Sequence, residues 1–171
     1  MRKIIFWSTL EAAFSAFASE RDALECFANS EQAFAFVRMM RWPEEVICPH
    51  CRSSSCHFLP GRQVWQCAWC RRQFSAKTGT IMADSALSLG QWLTAAWMVA
   101  HDNERLRVCD LRHALGITQK TARVLLERIR AAKLKGMFEI VELSRNAPKT
   151  IQFGATAECK RIFLDAVGNE R

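Results

Sequence analysis

Four cysteines carry the clearest chemistry in this 171-residue chain: Cys48-x2-Cys51, fifteen intervening residues, then Cys67-x2-Cys70. Two thiolates separated by two residues grip one ion from a tight turn, and two such turns close a tetrahedron. A closed set of sulfurs leaves no position for water, so the chemistry is structural: one Zn2+ that fixes a small fold. Such a segment is unfolded without its metal. The alternatives are four buried thiols, two disulfides, or a redox pair, although a redox CxxC normally sits on a βα unit. Cys56-His57, between the pairs, and His50, inside the first, are rival ligands. The solitary Cys26, Cys109 and Cys159 read as small buried hydrophobes.

A second constellation lies at residues 108–132. Val108, Leu111 and Leu115 mark a short helix, Gly116 a turn, and Thr118 the cap of a longer helix whose inner face is Ala122, Leu125, Leu126 and Ile129. This layout predicts a helix-turn-helix. The outer face of its second helix carries Gln119, Lys120, Arg123, Glu127 and Arg130. In a major groove, Gln pairs with adenine and Arg or Lys with guanine, while Lys120 also suits a phosphate. Arg128, Lys133 and Lys135 are expected near the DNA backbone. Arg112 stands where such turns usually hold a small residue. A helical hairpin with a solvated face is the plainer alternative.

Charge points the same way. The formal net charge is +7 and the pI about 9.2. Residues 48–83 hold five Lys or Arg and no acid, and residues 105–135 hold nine basic residues against Asp110 and Glu127. Concentrated positive charge suits nucleic acid, so Arg71, Arg72 and Lys77 of the cysteine segment join Gln119, Lys120, Arg123 and Arg130 as expected contacts to double-stranded DNA. The first 47 residues carry seven acids against five bases and lack this character. Half of the residues are hydrophobic, which excludes a disordered tail. No run approaches the 18 apolar residues of a membrane span, and the start has no secretory pattern. The paired cysteines favour a reducing compartment, so a cytoplasmic, nucleoid-associated protein of bacterial style is expected.

The elements that must position these residues fall into four segments. Residues 1–43 read as helical: Ser8 with Glu11 resembles a capping box ahead of Phe14 and Phe17, and Ser30 caps a second helix bearing Phe34, Val37 and Met40. Pro43 stops it. Residues 44–83 form a ribbon, with Phe58 and Val64-Trp65-Gln66 as short strands around Pro60-Gly61. Residues 84–133 are helical again; Ser88 with Gln91 caps a helix on which Leu89, Trp92, Leu93, Ala96, Trp97 and Ala100 follow helical spacing. In the extension, 134–171, Phe138–Leu143 reads as a strand and Ala157–Val167 as a helix. The fold class is α+β, mainly α.

Arg41-Trp42-Pro43, Cys48-Pro49-His50-Cys51, Cys67-Ala68-Trp69-Cys70, Gln73-Phe74-Ser75 and Thr78-Gly79-Thr80-Ile81-Met82 resemble the N-terminal zinc-ribbon region of bacterial insertion-sequence transposases. The similarity continues through Leu89, Trp92 and the stretch Leu115 to Ala122, from roughly residue 30 to 132. It implies that the four cysteines are zinc ligands and that ribbon and helices bind transposon-end DNA. That family continues into an RNase H-like domain with a carboxylate triad, whose first Asp lies in a Val-Asp-Glu-like motif. Here the corresponding stretch has Glu139 and Glu142 but no Asp, and only 29 residues follow Glu142, with Glu158, Asp165 and Glu170 as later carboxylates. The resemblance therefore implies a chain without strand-transfer chemistry.

No activated nucleophile, phosphate loop or open metal site stands out, so an enzyme is not expected. The leading expectation is a zinc-dependent, sequence-specific DNA-binding protein derived from transposases and acting as a transcriptional regulator. One alternative is a non-catalytic accessory or inhibitor subunit at transposon ends. Another is a protein-interaction module in which the ribbon docks on a partner such as RNA polymerase. The N-terminal helices are expected to pack, to form a homodimer or to bind a protein partner.

Overall fold

The computed structural model describes residues 7–102 and 105–137. The chain is α+β and mainly helical. Its order is α1 (Trp7–Phe14), α2 (Glu20–Ala28), α3 (Ser30–Arg41), β1 (Cys56–Leu59), a 3-10 turn (Pro60–Arg62), β2 (Val64–Cys67), β3 (Gln73–Ser75), α4 (Leu89–Asp102), α5 (Val108–Leu115) and α6 (Gln119–Lys135). The elements expected at Phe138–Leu143 and Ala157–Val167 lie outside the described residues, as do Glu139, Glu142, Cys159 and the later carboxylates.

Local signals set most helix ends. The Thr118 hydroxyl accepts the Thr121 N–H at 3.2 Å and starts α6. Ser88 and Gln91 make the expected reciprocal box ahead of α4, at 3.0 and 3.1 Å. Gly116 and Gly136 end α5 and α6 with φ of 62° and 66°, a left-handed conformation that suits glycine. The N-terminal segment departs from expectation in three places. Helix α1 already includes Trp7, so Ser8 lies inside it, and Glu11 accepts the Trp7 indole N–H at 2.6 Å. A further break separates α1 from α2, which Ser19 caps through the Asp22 N–H. The cap of α3 is Asn29, not Ser30: its carboxamide oxygen accepts from the Glu31 and Gln32 N–H groups at 2.9 and 3.1 Å. Asn is the better cap because its oxygen reaches two orphan donors.

Helix α4 lies at the centre. Trp92, Leu93, Ala95, Ala96, Trp97 and Val99 are all buried, which is expected of a helix covered on most sides. It packs against α1, α2, α3, α5 and α6. Phe14 brings the N-terminal helices onto it, with ring centroids 5.8 Å from Phe27, 6.1 Å from Phe36 and 5.2 Å from Trp97. At Gly90 a Cβ would stand 2.0 Å from the Phe27 carbonyl oxygen, so α2 and α4 meet backbone to backbone.

The strands form one antiparallel sheet in the order β1-β2-β3, with Cys56 opposite Cys67 and Trp65 opposite both Phe58 and Phe74. Trp65 is the ribbon's anchor. It is buried, with centroids 5.5 Å from Phe34, 4.9 Å from Trp42 and 6.0 Å from Phe74. Beside it the buried Arg41 guanidinium donates to the carbonyls of Ser75 (3.3 Å), Ala76 (3.0 Å) and Thr78. A charge can be buried when its donors are met in this way. Hydrophobic residues on both sides of the expected boundaries at 43/44 and 83/84 thus belong to one contiguous core, from Trp7 to Ala132. Among the described residues no helix is long and apolar enough to cross a membrane.

Candidate metal centre and nucleic-acid interface

The two CxxC turns are built alike. The Arg52 N–H donates to the Cys48 carbonyl at 2.9 Å, and the Arg71 N–H to the Cys67 carbonyl at 3.0 Å. Each loop is closed again by a bond from the first cysteine's N–H, Cys48 to the Ser53 carbonyl (2.9 Å) and Cys67 to the Arg72 carbonyl (3.0 Å). Arg52 and Arg71 both turn through positive φ, 66° and 58°. Within the turns, the N–H groups of Cys51 and His50 point at the Cys48 sulfur, and those of Cys70 and Trp69 at the Cys67 sulfur. The knuckles are therefore two copies of one backbone unit, which makes His50 and Trp69 equivalent, and likewise Arg52 and Arg71.

This duplication aims four sulfurs at one point. Cys48 Sγ lies 3.7 Å from Cys70 Sγ, and Cys51 Sγ 3.4 Å from Cys67 Sγ, with all four within 4.8 Å of one another. Zn–S bonds of about 2.3 Å imply tetrahedral edges of about 3.8 Å, so the set fits one structural zinc ion without rearrangement of the backbone. Thiolates are the form that binds. The N–H of Cys70, aided by that of Trp69, pulls the Cys67 thiol down to about 6, whereas burial pushes Cys48 up to about 12. A dication supplies the charge that holds such a buried thiol deprotonated. Among the described residues, these four form the group of ligating side chains able to share an ion. Cys56 lies outside it: its Sγ faces the Ser53 carbonyl at 3.6 Å, and burial pushes its thiol up to about 11. His50 and His57 are exposed. Cys26 is buried as expected, but Cys109 is exposed on α5, where its side chain faces Asp110.

The α5–turn–α6 pair is fixed from several sides. Leu111 is fully buried, and Val108 and Leu115 are half-buried, as is Ile117 of the turn. Ala122, Leu125, Leu126, Ile129 and Ala132 form the buried face of α6. The Gln91 carboxamide donates to the Leu115 carbonyl at 3.3 Å, which ties α4 to the end of α5. Arg112 points to solvent, so its bulk does not enter the turn, and its carbonyl accepts the N–H of Ile117 at 3.3 Å.

The expected DNA contacts divide into two groups. Gln119, Lys120 and Arg123 are exposed on the first turns of α6, where no acid stands in the first turn. Arg71 and Arg72 are exposed beside the second knuckle. Lys77 and Arg130 are engaged inside the fold instead. The Lys77 ammonium donates to the carbonyls of Ser85 (3.2 Å) and Leu87, and its burial lowers its pKa. Arg130 donates to the Leu106 carbonyl at 2.8 Å. Arg128 reaches the carbonyls of Ile81 (3.4 Å) and Ala83 (3.2 Å), and Lys133 that of Val99 (3.2 Å). Arg128 thus ties the loop after the ribbon to α6, while Arg130 and Lys133 tie α6 to the segment before α5 and to α4. Arg52 and Trp69 were not singled out by charge or spacing alone. The signal for Arg52 is that both knuckles read Cys-x2-Cys-Arg.

Residues 28–73 match the transposase zinc-ribbon domain family. The matched stretch runs from the last turn of α2 to the first residue of β3 and contains all four sulfurs. The matched region thus takes in the helix that carries Phe34 and Arg41, the two residues that seat the ribbon. A curated relative, described as an uncharacterized protein in transposable element ISH50 of Halobacterium salinarum, is 28% identical over 128 residues. The alignment covers 70% of this chain and 43% of the relative, so the chain spans less than half of that protein's length. No solved structure matches.

Proposed function

We propose that the chain is a transposase-derived, zinc-dependent protein that binds double-stranded DNA sequence-specifically and regulates transcription. One observation carries the reading: the first turns of α6 present Gln119, Lys120 and Arg123 to solvent on a helix whose other face is fully packed. A helix held in this way can enter a major groove as the second member of a helix-turn-helix. The positive dipole end of α6 favours a phosphate beside Lys120. Arg71 and Arg72 supply positive charge on the transposase-type ribbon. The Arg128 clamp couples ribbon and helix, which supports their use as one surface. Zinc holds the knuckles, and with them the spacing of the ribbon's arginines.

The test is selection of bound sequences from a random duplex pool, followed by anisotropy titrations. Arg123→Ala is expected to relax preference at one base pair and to cost about 1–3 kcal/mol there. An unchanged selected sequence removes Arg123 from base readout. The relative from a transposable element favours a second role with the same binding, that of an accessory subunit at transposon ends. A selected sequence that recurs as inverted terminal repeats of an element in the host genome supports that role over promoter regulation.

A further inference from the structure

Trp69 is 81% exposed, whereas Trp7, Trp65, Trp92 and Trp97 are buried and Trp42 is half-buried. The indole sits at the tip of the second knuckle, between two sulfurs that fix the backbone on either side. Arg71 and Arg72 follow it, both exposed, and residues 48–83 contain no acid. The duplicated backbone sets His50 and Arg52, also exposed, at the matching positions of the first knuckle. Each tip thus offers one aromatic ring and one guanidinium.

A rigid aromatic ring beside cations is the arrangement that stacks on a nucleobase while neutralising its phosphates. Inside a duplex the base faces are stacked on one another, so an unpaired strand offers an indole far more open faces than the two ends of a blunt duplex do. The charge excludes an acid-free partner surface of like sign and favours a polyanion. We propose that the knuckle tips, led by Trp69 with Arg71, form a stacking site for unpaired bases of single-stranded DNA that continues from the bound duplex. This rests on the duplex reading above and adds a second ligand class to it.

The test uses the zinc-loaded full chain with a blunt duplex and with the same duplex carrying a short single-stranded tail. The tail is expected to tighten binding about five- to a hundredfold, as one stacked base would, and to quench the exposed tryptophan emission. Trp69→Ala should abolish that gain and the quenching while leaving blunt-duplex affinity unchanged. Trp69→Phe should retain part of the gain. One zinc per chain in each variant establishes that the knuckle is intact. A tail that gives no gain overturns the proposal, and so does a Trp69→Ala loss equal on both probes, which leaves duplex binding standing. Binding of tailed but not blunt DNA, abolished by Trp69→Ala, supports the stacking site and overturns the duplex reading. Failure of the zinc-loaded chain to bind either probe overturns both.

Discussion

The salt dependence expected of the proposed DNA binding follows from how the fold employs its cations. By sequence, fourteen Lys or Arg residues lie within 48–83 and 105–135, around the cysteines and α6. The structure engages Arg41, Lys77, Arg128, Arg130 and Lys133 with backbone carbonyls. On the proposed surface this leaves Arg52, Arg71 and Arg72 on the ribbon and Lys120 and Arg123 on α6. Each phosphate neutralised contributes about −0.9 to the slope of log K against log salt. If ribbon and helix engage one duplex together, the slope is about −4.5, and raising salt from about 50 to 200 mM weakens binding by roughly 500-fold. Use of α6 alone gives a slope of about −1.8, and of the ribbon alone about −2.7. Recruitment of Lys77, Arg128, Arg130 and Lys133 as well gives about −8. Anisotropy titrations of a selected duplex across this range measure the slope directly. In the same assay Arg72→Gln should lower its magnitude by about 0.9, whereas Lys77→Gln should leave it unchanged. A slope near −8, or a Lys77→Gln change as large as that of Arg72→Gln, would refute the division of cations drawn from the structure.

Gly90→Ala should destabilise the fold by about 1–3 kcal/mol in thermal or denaturant unfolding, because the new Cβ would meet the Phe27 carbonyl oxygen at 2.0 Å; a neutral or raised melting temperature, as helix propensity alone predicts, counts against that contact. Cys67→Ser should reduce bound zinc well below one per chain by metal analysis and abolish DNA binding, whereas Cys56→Ser should retain full zinc; equal loss in both would make Cys56 a ligand. Asp110 accepts the Arg107 N–H at 2.8 Å, which holds its carboxyl below the ordinary value of 3.8. A depressed folded pKa contributes stability above the unfolded value and loses it as pH falls through the folded one, so Asp110→Asn should flatten the acid limb of unfolding below about pH 4. An acid limb identical to wild type would place the α5 cap elsewhere.

The zinc set was legible because its determinants are local. Two residues between thiols form a knuckle whatever surrounds it, and Cys56, His50 and His57 dropped out only once the knuckle geometry was known. The caps at Thr118 and at Ser88 with Gln91 were likewise readable, since each involves side chains within three residues. The N-terminal helices were less so. Asn29 and Ser30 are both good caps by type, and the fold starts α3 at the one whose oxygen meets the Glu31 and Gln32 N–H groups. Sequence alone thus determined the two cysteine pairs, the helical or ribbon character of the described segments and the buried face of α6, whereas the fold separated the four ligands from their rivals. Tertiary structure decided which cations face solvent. Arg71 and Lys77 look alike in a charge count, but only Lys77 lies within reach of carbonyls near residue 86. The length of a basic side chain lets it serve either water or backbone, and that choice depends on neighbours distant in sequence.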